Sequence, residues 1–247
     1  MNSPKIIHYC WFGQQKIPEK LCKCMDSWAF LMPDYEIKRW DETVFDVNST
    51  AWTKDAYTAK KYAFVSDYVR LVALYEYGGI YLDTDVMLTK SLTPLQELHH
   101  NYMGFENDNV LTSAIMCFEP HNSLVKEFLN YYNDRDFSYK IVKSNEANVI
   151  MMTHILVSHG LLANNEEQDI YVNKQNRLHI FPRTYFCPLD FYHNKDFSIN
   201  THAIHFFDAS WLDDDTKKRI VRERTTLYKL KMLFLKYLKL IKDTIIR

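Results

Sequence analysis

Apolar residues fall into two rhythms along this chain, and the places where one gives way to the other mark its elements. The run Lys5-Ile6-Ile7-His8-Tyr9-Cys10-Trp11-Phe12, closed by Gly13, is short, β-rich and apolar, and predicts a buried strand. A second strand is predicted at Tyr35-Glu36-Ile37-Lys38-Arg39-Trp40, after the turn signal Pro33-Asp34, with a helix over 18–31 between the two. Strand–helix–strand is the order a parallel sheet with right-handed crossovers requires, so the fold class is α/β. Residues 54–77 carry the longest helical pattern of the body, with Ala59, Tyr62, Ala63, Val69, Val72 and Ala73 at spacings of three and four. Gly78-Gly79 ends it where a left-handed residue is wanted. Ile80-Tyr81-Leu82 then reads as a buried strand running into Asp83-Thr84-Asp85. Further strands are predicted at 113–118, 178–181 and, briefly, 203–206, and helices at 121–133 and 146–160.

Composition divides the chain in two. Its 247 residues are 47% apolar and 15% aromatic, enough for one sizeable core and too apolar for disorder. The net charge of −1 conceals a basic tail on an acidic body: residues 216–247 hold 11 Lys/Arg against Glu223 and Asp243. We therefore expect a catalytic domain over 1–215 and a helical tail over 216–247. In that tail Leu227, Leu230, Phe234, Leu238, Ile241 and Ile245 line one helical face, and Lys229, Lys236, Lys239 and Lys242 lie largely on the other. Such a helix suits an anionic membrane surface, with docking on the body or pairing with another copy as the alternative. Nothing else in the chain is basic enough for nucleic acid. Five cysteines without paired CxxC spacing read as reduced thiols. No secretory leader or spanning segment is visible in the sequence, and Asn48-Ser49-Thr50 reads as a chance sequon. The expectation is a cytoplasmic protein, peripheral on the inner face of the membrane.

The candidate chemistry sits where the elements end. Asp83 and Asp85 are two apart at the end of an apolar strand, an arrangement expected to turn both carboxylates to one side and to hold Mg²⁺ or Mn²⁺ with a diphosphate. Asp67 and Arg70 share a helix face; their bland reading is a surface ion pair, but they are set in an apolar surface, which favours a ligand role with Arg70 toward phosphate or sugar. Trp11, at a strand end, is either a core residue or a stacking plate for a base. His8 reads as a satisfied core or supporting histidine. The cluster Thr201-His202-Ala203-Ile204-His205-Phe206-Phe207-Asp208-Ala209-Ser210-Trp211 offers two imidazoles that could complete the metal site, and the residues alone do not choose between His202 and His205. Ser210 and Trp211 are donors suited to phosphate oxygens.

Three blocks in order, KIIHYCWFG, FVSDYVRLVALYEYGGIYLDTDV and AIHFFDASW, resemble glycosyltransferase family 32, the DxD sugar-transferase family, over residues 5–211. The resemblance implies a GT-A fold with a mixed central sheet, a nucleotide-sugar donor (UDP favoured over GDP), a divalent metal and retention of anomeric configuration. It implies transfer of a hexose or N-acetylhexosamine to a saccharide or lipid-linked saccharide in surface polysaccharide synthesis. Carried over by position, Trp11 would stack on the base, and Asp67 and Arg70 would meet the donor sugar. Asp83 would touch ribose and metal, Asp85 and His205 would ligate the metal, and Ser210 and Trp211 would hold the β-phosphate. Members often place an Asn shortly after the strand that follows DxD; here Leu111-Thr112-Ser113-Ala114 supplies Thr and Ser instead. No obvious carboxylate presents itself as a covalent nucleophile, so front-face attack assisted by the leaving phosphate is favoured. Two rival readings stand beside this one. A haloacid-dehalogenase-like phosphatase would also use an apolar strand leading into DxD, although Met87 occupies the place of its usual Thr or Val. A nucleotide-sugar-binding membrane scaffold without turnover is the non-enzymatic alternative.

Overall fold

The structure, a computed structural model, describes residues 4–133, 135–137, 148–172, 176–190, 194–208, 218, 219 and 222. The basic tail beyond residue 216 therefore lies almost wholly outside the described residues. In chain order the elements are β1 (Ile6–Cys10), α1 (Glu19–Leu31), β2 (Glu36–Trp40), α2 (Ala51–Thr58), α3 (Tyr62–Tyr77), β3 (Gly79–Leu82), β4 (Val86–Leu88), α4 (Thr93–His99), β5 (Tyr102–Gly104), β6 (Ile115–Phe118), α5 (Ser123–Asn130), α6 (Asn148–Ser158), β7 (Gln168–Val172), β8 (Asn176–Phe181), α7 (Arg183–Phe186) and β9 (Ala203–His205).

Seven strands make one mixed sheet in the order β2-β1-β3-β6-β5-β8-β7. β1 runs parallel to β2 and β3, β6 runs antiparallel to β3 and β5, and β5 pairs parallel with β8. Because side chains alternate across a strand, the central strands feed two cores. Cys10, Tyr81, Met116 and Phe118 pack beneath α3 and α5. Ile7, Tyr9, Ile80, Leu82, Ile115 and Cys117 face Trp28 of α1 and Met32 just after it. The α/β expectation holds, as does the mixed sheet, and all five cysteines are free thiols. Among the described residues no helix is long and apolar enough to cross a membrane.

The predicted helix over 54–77 is in fact two. α2 ends at Thr58, Lys60 takes a left-handed φ of +57°, and α3 begins at Tyr62. The indole Nε1 of Trp52 donates to the Phe64 carbonyl at 2.9 Å, tying the helices across the break. Tertiary packing overrides a helical period that contains neither Gly nor Pro. β4, β5, β7 and α4 were not anticipated; each is seven residues or shorter and too brief to establish a period.

The Gly78-Gly79 stop is built as expected. Gly79 has φ +96°, and a Cβ there would lie 2.6 Å from the Ile6 carbonyl, so only glycine lets β3 enter beside β1. At the same junction His8 is fully buried. It donates from Nε2 to the Gly78 carbonyl at 2.8 Å and accepts at Nδ1 from Trp40 Nε1 at 3.1 Å. Both ring nitrogens are thus satisfied by the neutral imidazole, which locks the end of α3 to β1 and β2.

Burial brings the His8 pKa down to about 4 from 6.5. Between those values the unfolded chain takes up a proton that the native state refuses, so this contribution is complete above pH 6.5 and is lost as pH falls toward 4. It amounts to about 3 kcal/mol over the window, at 1.36 kcal/mol per unit. Urea unfolding midpoints should therefore drop more steeply between pH 7 and pH 4 in the wild type than in His8→Gln. Parallel curves would remove His8 as the source.

Candidate active site

The carboxyl ends of β1 and β3 open onto a cleft of about 920 Å³, within the range of small-ligand sites. Its walls come from Trp11 and Gly13 after β1, Lys60 and Lys61 at the helix break, Asn148 on α6, and His205 and Asp208 at the end of β9. Asp67, Arg70, Tyr81, Asp83, Asp85 and Glu106 also line it.

At the floor lies a buried guanidinium. Arg70 is 4% exposed, and α3 presents it on the same face as Asp67. Nη2 lies 2.9 Å from Asp67 Oδ1 and 3.3 Å from Asp83 Oδ1. Nη1 donates to the Ser113 carbonyl at 2.9 Å and to its Oγ at 3.0 Å, and Nε donates to the Ser66 carbonyl at 3.2 Å. The guanidinium also sits 4.7 Å from the centre of the Tyr81 ring, a favourable cation–π distance. Burial disfavours this cation, yet Asp83 and Asp67 hold it protonated far above its ordinary range. Burial pushes Asp67 up to about 6 against the pull of Arg70. All three donor atoms of Arg70 are thus spent on protein groups, so the geometry gives it the job of fixing Asp67 and Asp83.

Two residues that sequence reading missed complete this network. Asn148 donates to Asp67 Oδ1 at 2.8 Å and accepts from Ser113 Oγ at 3.3 Å. The stretch Leu111–Ala114 carries no Asn, and the Asn of this network comes from α6. Tyr81, read only as a strand residue, donates its hydroxyl to Asp83 Oδ1 at 2.8 Å. Its place two residues before Asp83 on a strand was the available signal.

Asp83 and Asp85 do not share a side by strand alternation as expected. β3 stops at Leu82, and Asp83-Thr84-Asp85 is a turn closed by the Val86 amide on the Asp83 carbonyl at 3.0 Å. The turn brings both carboxylates toward one point. The antiparallel pair β4–β9 then sets Val86 opposite His205, and this register delivers the imidazole to Asp85. One ligand atom from each of Asp83, Asp85 and His205 lies within 4.8 Å of the others. His205 Nε2 is 3.5 Å from Asp85 Oδ1, while the Asp208 amide donates to Asp85 Oδ2 at 2.8 Å. Burial alone would raise Asp85, but His205 and the Asp208 amide bring it down to about 2. Burial likewise disfavours the His205 cation, and Asp85 outweighs it, so the pair keeps its proton on the imidazole.

His202 is not part of this group. Its ring lies parallel to that of Tyr185 at 5.9 Å, and Nδ1 faces the Asn200 carbonyl at 2.8 Å. Trp11 is half-buried at the cleft wall, its Nε1 donating to the Gln15 carbonyl at 2.6 Å. Ser210 and Trp211 lie outside the described residues. Glu106, which the sequence did not single out, faces the cleft. Burial pushes its carboxyl up, and Asp83 and Asp85 add to the rise while His205 opposes it.

Replacing Arg70 tests the floor directly. Lys offers one nitrogen where three now donate, leaving Ser113 or Asp67 unpaired in a buried setting. Arg70→Lys is expected to cost about 3 kcal/mol in urea unfolding, the scale of breaking a buried pair from one side. A loss under about 1 kcal/mol would mean that water or a shifted side chain replaces the network.

Residues 18–105 match the family described as glycosyltransferase sugar-binding region containing DXD motif. The chain is 42% identical over 101 residues to inositol phosphoceramide mannosyltransferase 3 of Schizosaccharomyces pombe, covering 39% of this chain and 28% of that protein. It is 37% identical over 73 residues to lactosylceramide 4-alpha-galactosyltransferase of Rattus norvegicus, covering 28% of this chain and 19% of the relative. The chain thus spans less than a third of the length of either relative. Among solved structures, the PaToxG glycosyltransferase superposes with a TM-score of 0.51 at 18% identity, over 63% of this chain and 69% of that one. At that identity the likeness speaks for the fold, which is the GT-A fold.

Proposed function

We propose that this chain, which matches the DXD sugar-binding region over residues 18–105 and has the GT-A fold, is a DXD glycosyltransferase that transfers a hexose or N-acetylhexosamine from a nucleotide-diphosphate sugar to a saccharide hydroxyl. The observation that carries this reading is the grouping of Asp83, Asp85 and His205 at the mouth of a cleft of ligand size. Two carboxylates and one imidazole suit Mn²⁺ and also admit Mg²⁺. A divalent ion bound there would neutralise the charge that builds on a departing diphosphate.

The chain's own residues supply the rest. Arg70 and Tyr81 hold Asp83 in one orientation, so it needs no reordering when a ligand arrives. His205 must give up its proton before it ligates, since only neutral imidazole does so. The half-buried indole of Trp11 offers a face for the base, and Lys60 and Lys61 place positive charge on the same wall. Asp67 and Asn148, which line the same cleft, are proposed to accept from and donate to sugar hydroxyls. Ser210 and Trp211 are proposed as hydrogen-bond donors to the β-phosphate from the family resemblance, which also supports retention, a UDP-sugar donor and a place in surface polysaccharide assembly. The two curated relatives are named for mannosyl and galactosyl transfer and for ceramide-bearing compounds, which favours a hexose and an acceptor carried at a lipid surface.

A screen of UDP- and GDP-sugars for hydrolysis and transfer, with Mn²⁺ or Mg²⁺, tests the reading. Asp85→Ala is expected to lower metal-dependent turnover about 10²–10³-fold, the cost of removing one key electrostatic stabiliser. His205→Ala should fall well below His202→Ala, and Trp11→Ala should weaken donor binding by about 1–3 kcal/mol. Near-normal turnover in Asp85→Ala would sink the metal assignment. Efficient hydrolysis of a chromogenic phosphomonoester with Mg²⁺ would favour the phosphatase instead.

The tail is proposed as a membrane foot on the strength of its sequence alone. Deleting 217–247 should leave donor hydrolysis in solution intact and abolish binding to vesicles containing anionic lipid. Binding by the full chain should weaken with salt, each surface Lys or Arg contributing about 1 kcal/mol that ions screen. Equal vesicle binding with and without the tail would dispose of the idea.

A further inference from the structure

Among the described residues a second group of metal-ligating side chains lies outside the cleft, at the edge of the sheet away from β2. His99 closes α4, while Asp169 on β7 and His179 on β8 are direct register partners. One ligand atom from each lies within 4.8 Å of the others. His179 is 5% exposed, and its ring stacks on that of His99 with centroids 3.7 Å apart and planes 19° from parallel.

The proton inventory of this group is unusual. Asp169 Oδ1 accepts from His179 Nδ1 at 2.8 Å and from Arg177 Nε at 2.9 Å. The other ring nitrogen of His179, Nε2, points away from Asp169. That atom is buried without a hydrogen bond, although Glu167 Oε1 is only 3.2 Å away. His99 Nδ1 is also buried and unbonded.

We propose that this group is a second metal site, separate from the cleft, which takes Zn²⁺ or a comparable divalent ion such as Co²⁺ or Ni²⁺. His99 and His179 Nε2 are its nitrogen ligands, Glu167 closes it, and Asp169 orients His179 through Nδ1–H. Two imidazoles with a carboxylate match the preference of those ions, whereas the oxygen-rich DXD site suits harder ones. A carboxylate holding the second nitrogen of a ligating histidine is the usual supporting arrangement. To close on a common ion the half-buried His99 ring, at the last residue of α4, has to swing out of its stack. A bound ion would clamp the end of α4 to the β7–β8 edge, a structural role with no part in sugar transfer.

Zinc titration by calorimetry on the full chain carrying Asp85→Asn isolates this site from the DXD centre. One Zn²⁺ per chain is expected, with a rise in the thermal midpoint on zinc addition. Adding His99→Ala or Glu167→Gln to that background should weaken binding about 10–100-fold. Glu167 is half exposed, so its substitution carries the test even if His99→Ala disturbs folding. No zinc binding, or binding that neither substitution weakens, would overturn the proposal. His179 would then be an imidazolium held between two carboxylates.

Discussion

Burying the Arg70 guanidinium beneath the cleft obliges the fold to bring polar partners to it from distant parts of the chain. A lone buried cation is untenable, and the cost falls only when every donor is met. Asp67 comes from the same helix, Asp83 from the turn after β3, and Ser113 from the approach to β6. Asn148 then satisfies Asp67 and Ser113 together from α6. Sheet, helices and turn are thereby cross-linked at one point, and the DXD turn inherits its orientation from that point. The apolar layers on both faces of the sheet would pack without Arg70, but they would not fix where Asp83 points.

The order of elements was legible because it depends on local pattern. β1, α1, β2 and the Gly-Gly stop before β3 each announce themselves within a few residues. What could not be read was whatever depends on partners far along the chain. The break at Lys60 has no sequence signal, because Trp52 and Phe64 impose it through a tertiary hydrogen bond. The same break places Lys60 and Lys61 at the cleft wall, where a continuous helix would have carried them round its surface.

The choice between His202 and His205 shows the limit most clearly. Both are imidazoles in one short segment, and spacing alone ranks them equally. Pairing of β9 with β4 decides it: Val86 opposite His205 sends that ring to Asp85, while His202 lies just before the strand and turns to Tyr185. Asn148 was hidden for a similar reason, since it acts on Asp67 from 81 residues away. Conversely, Asp83 and Asp85 were expected to converge by strand alternation and instead converge by a turn. The outcome was legible and its cause was not.

The β4–β9 ribbon has a further consequence for how this molecule comes into being. Its two strands are joined by more than a hundred residues, and the imidazole at the cleft resides on the later one. A chain emerging from the ribosome can assemble β1 to β6 and bury Arg70 while that histidine is still unmade or unfolded. Pairings between distant segments are the slow, late events of folding. The proposed site is therefore complete only once β9 docks against β4, and a chain that stops before β9 has the floor of the cleft without His205.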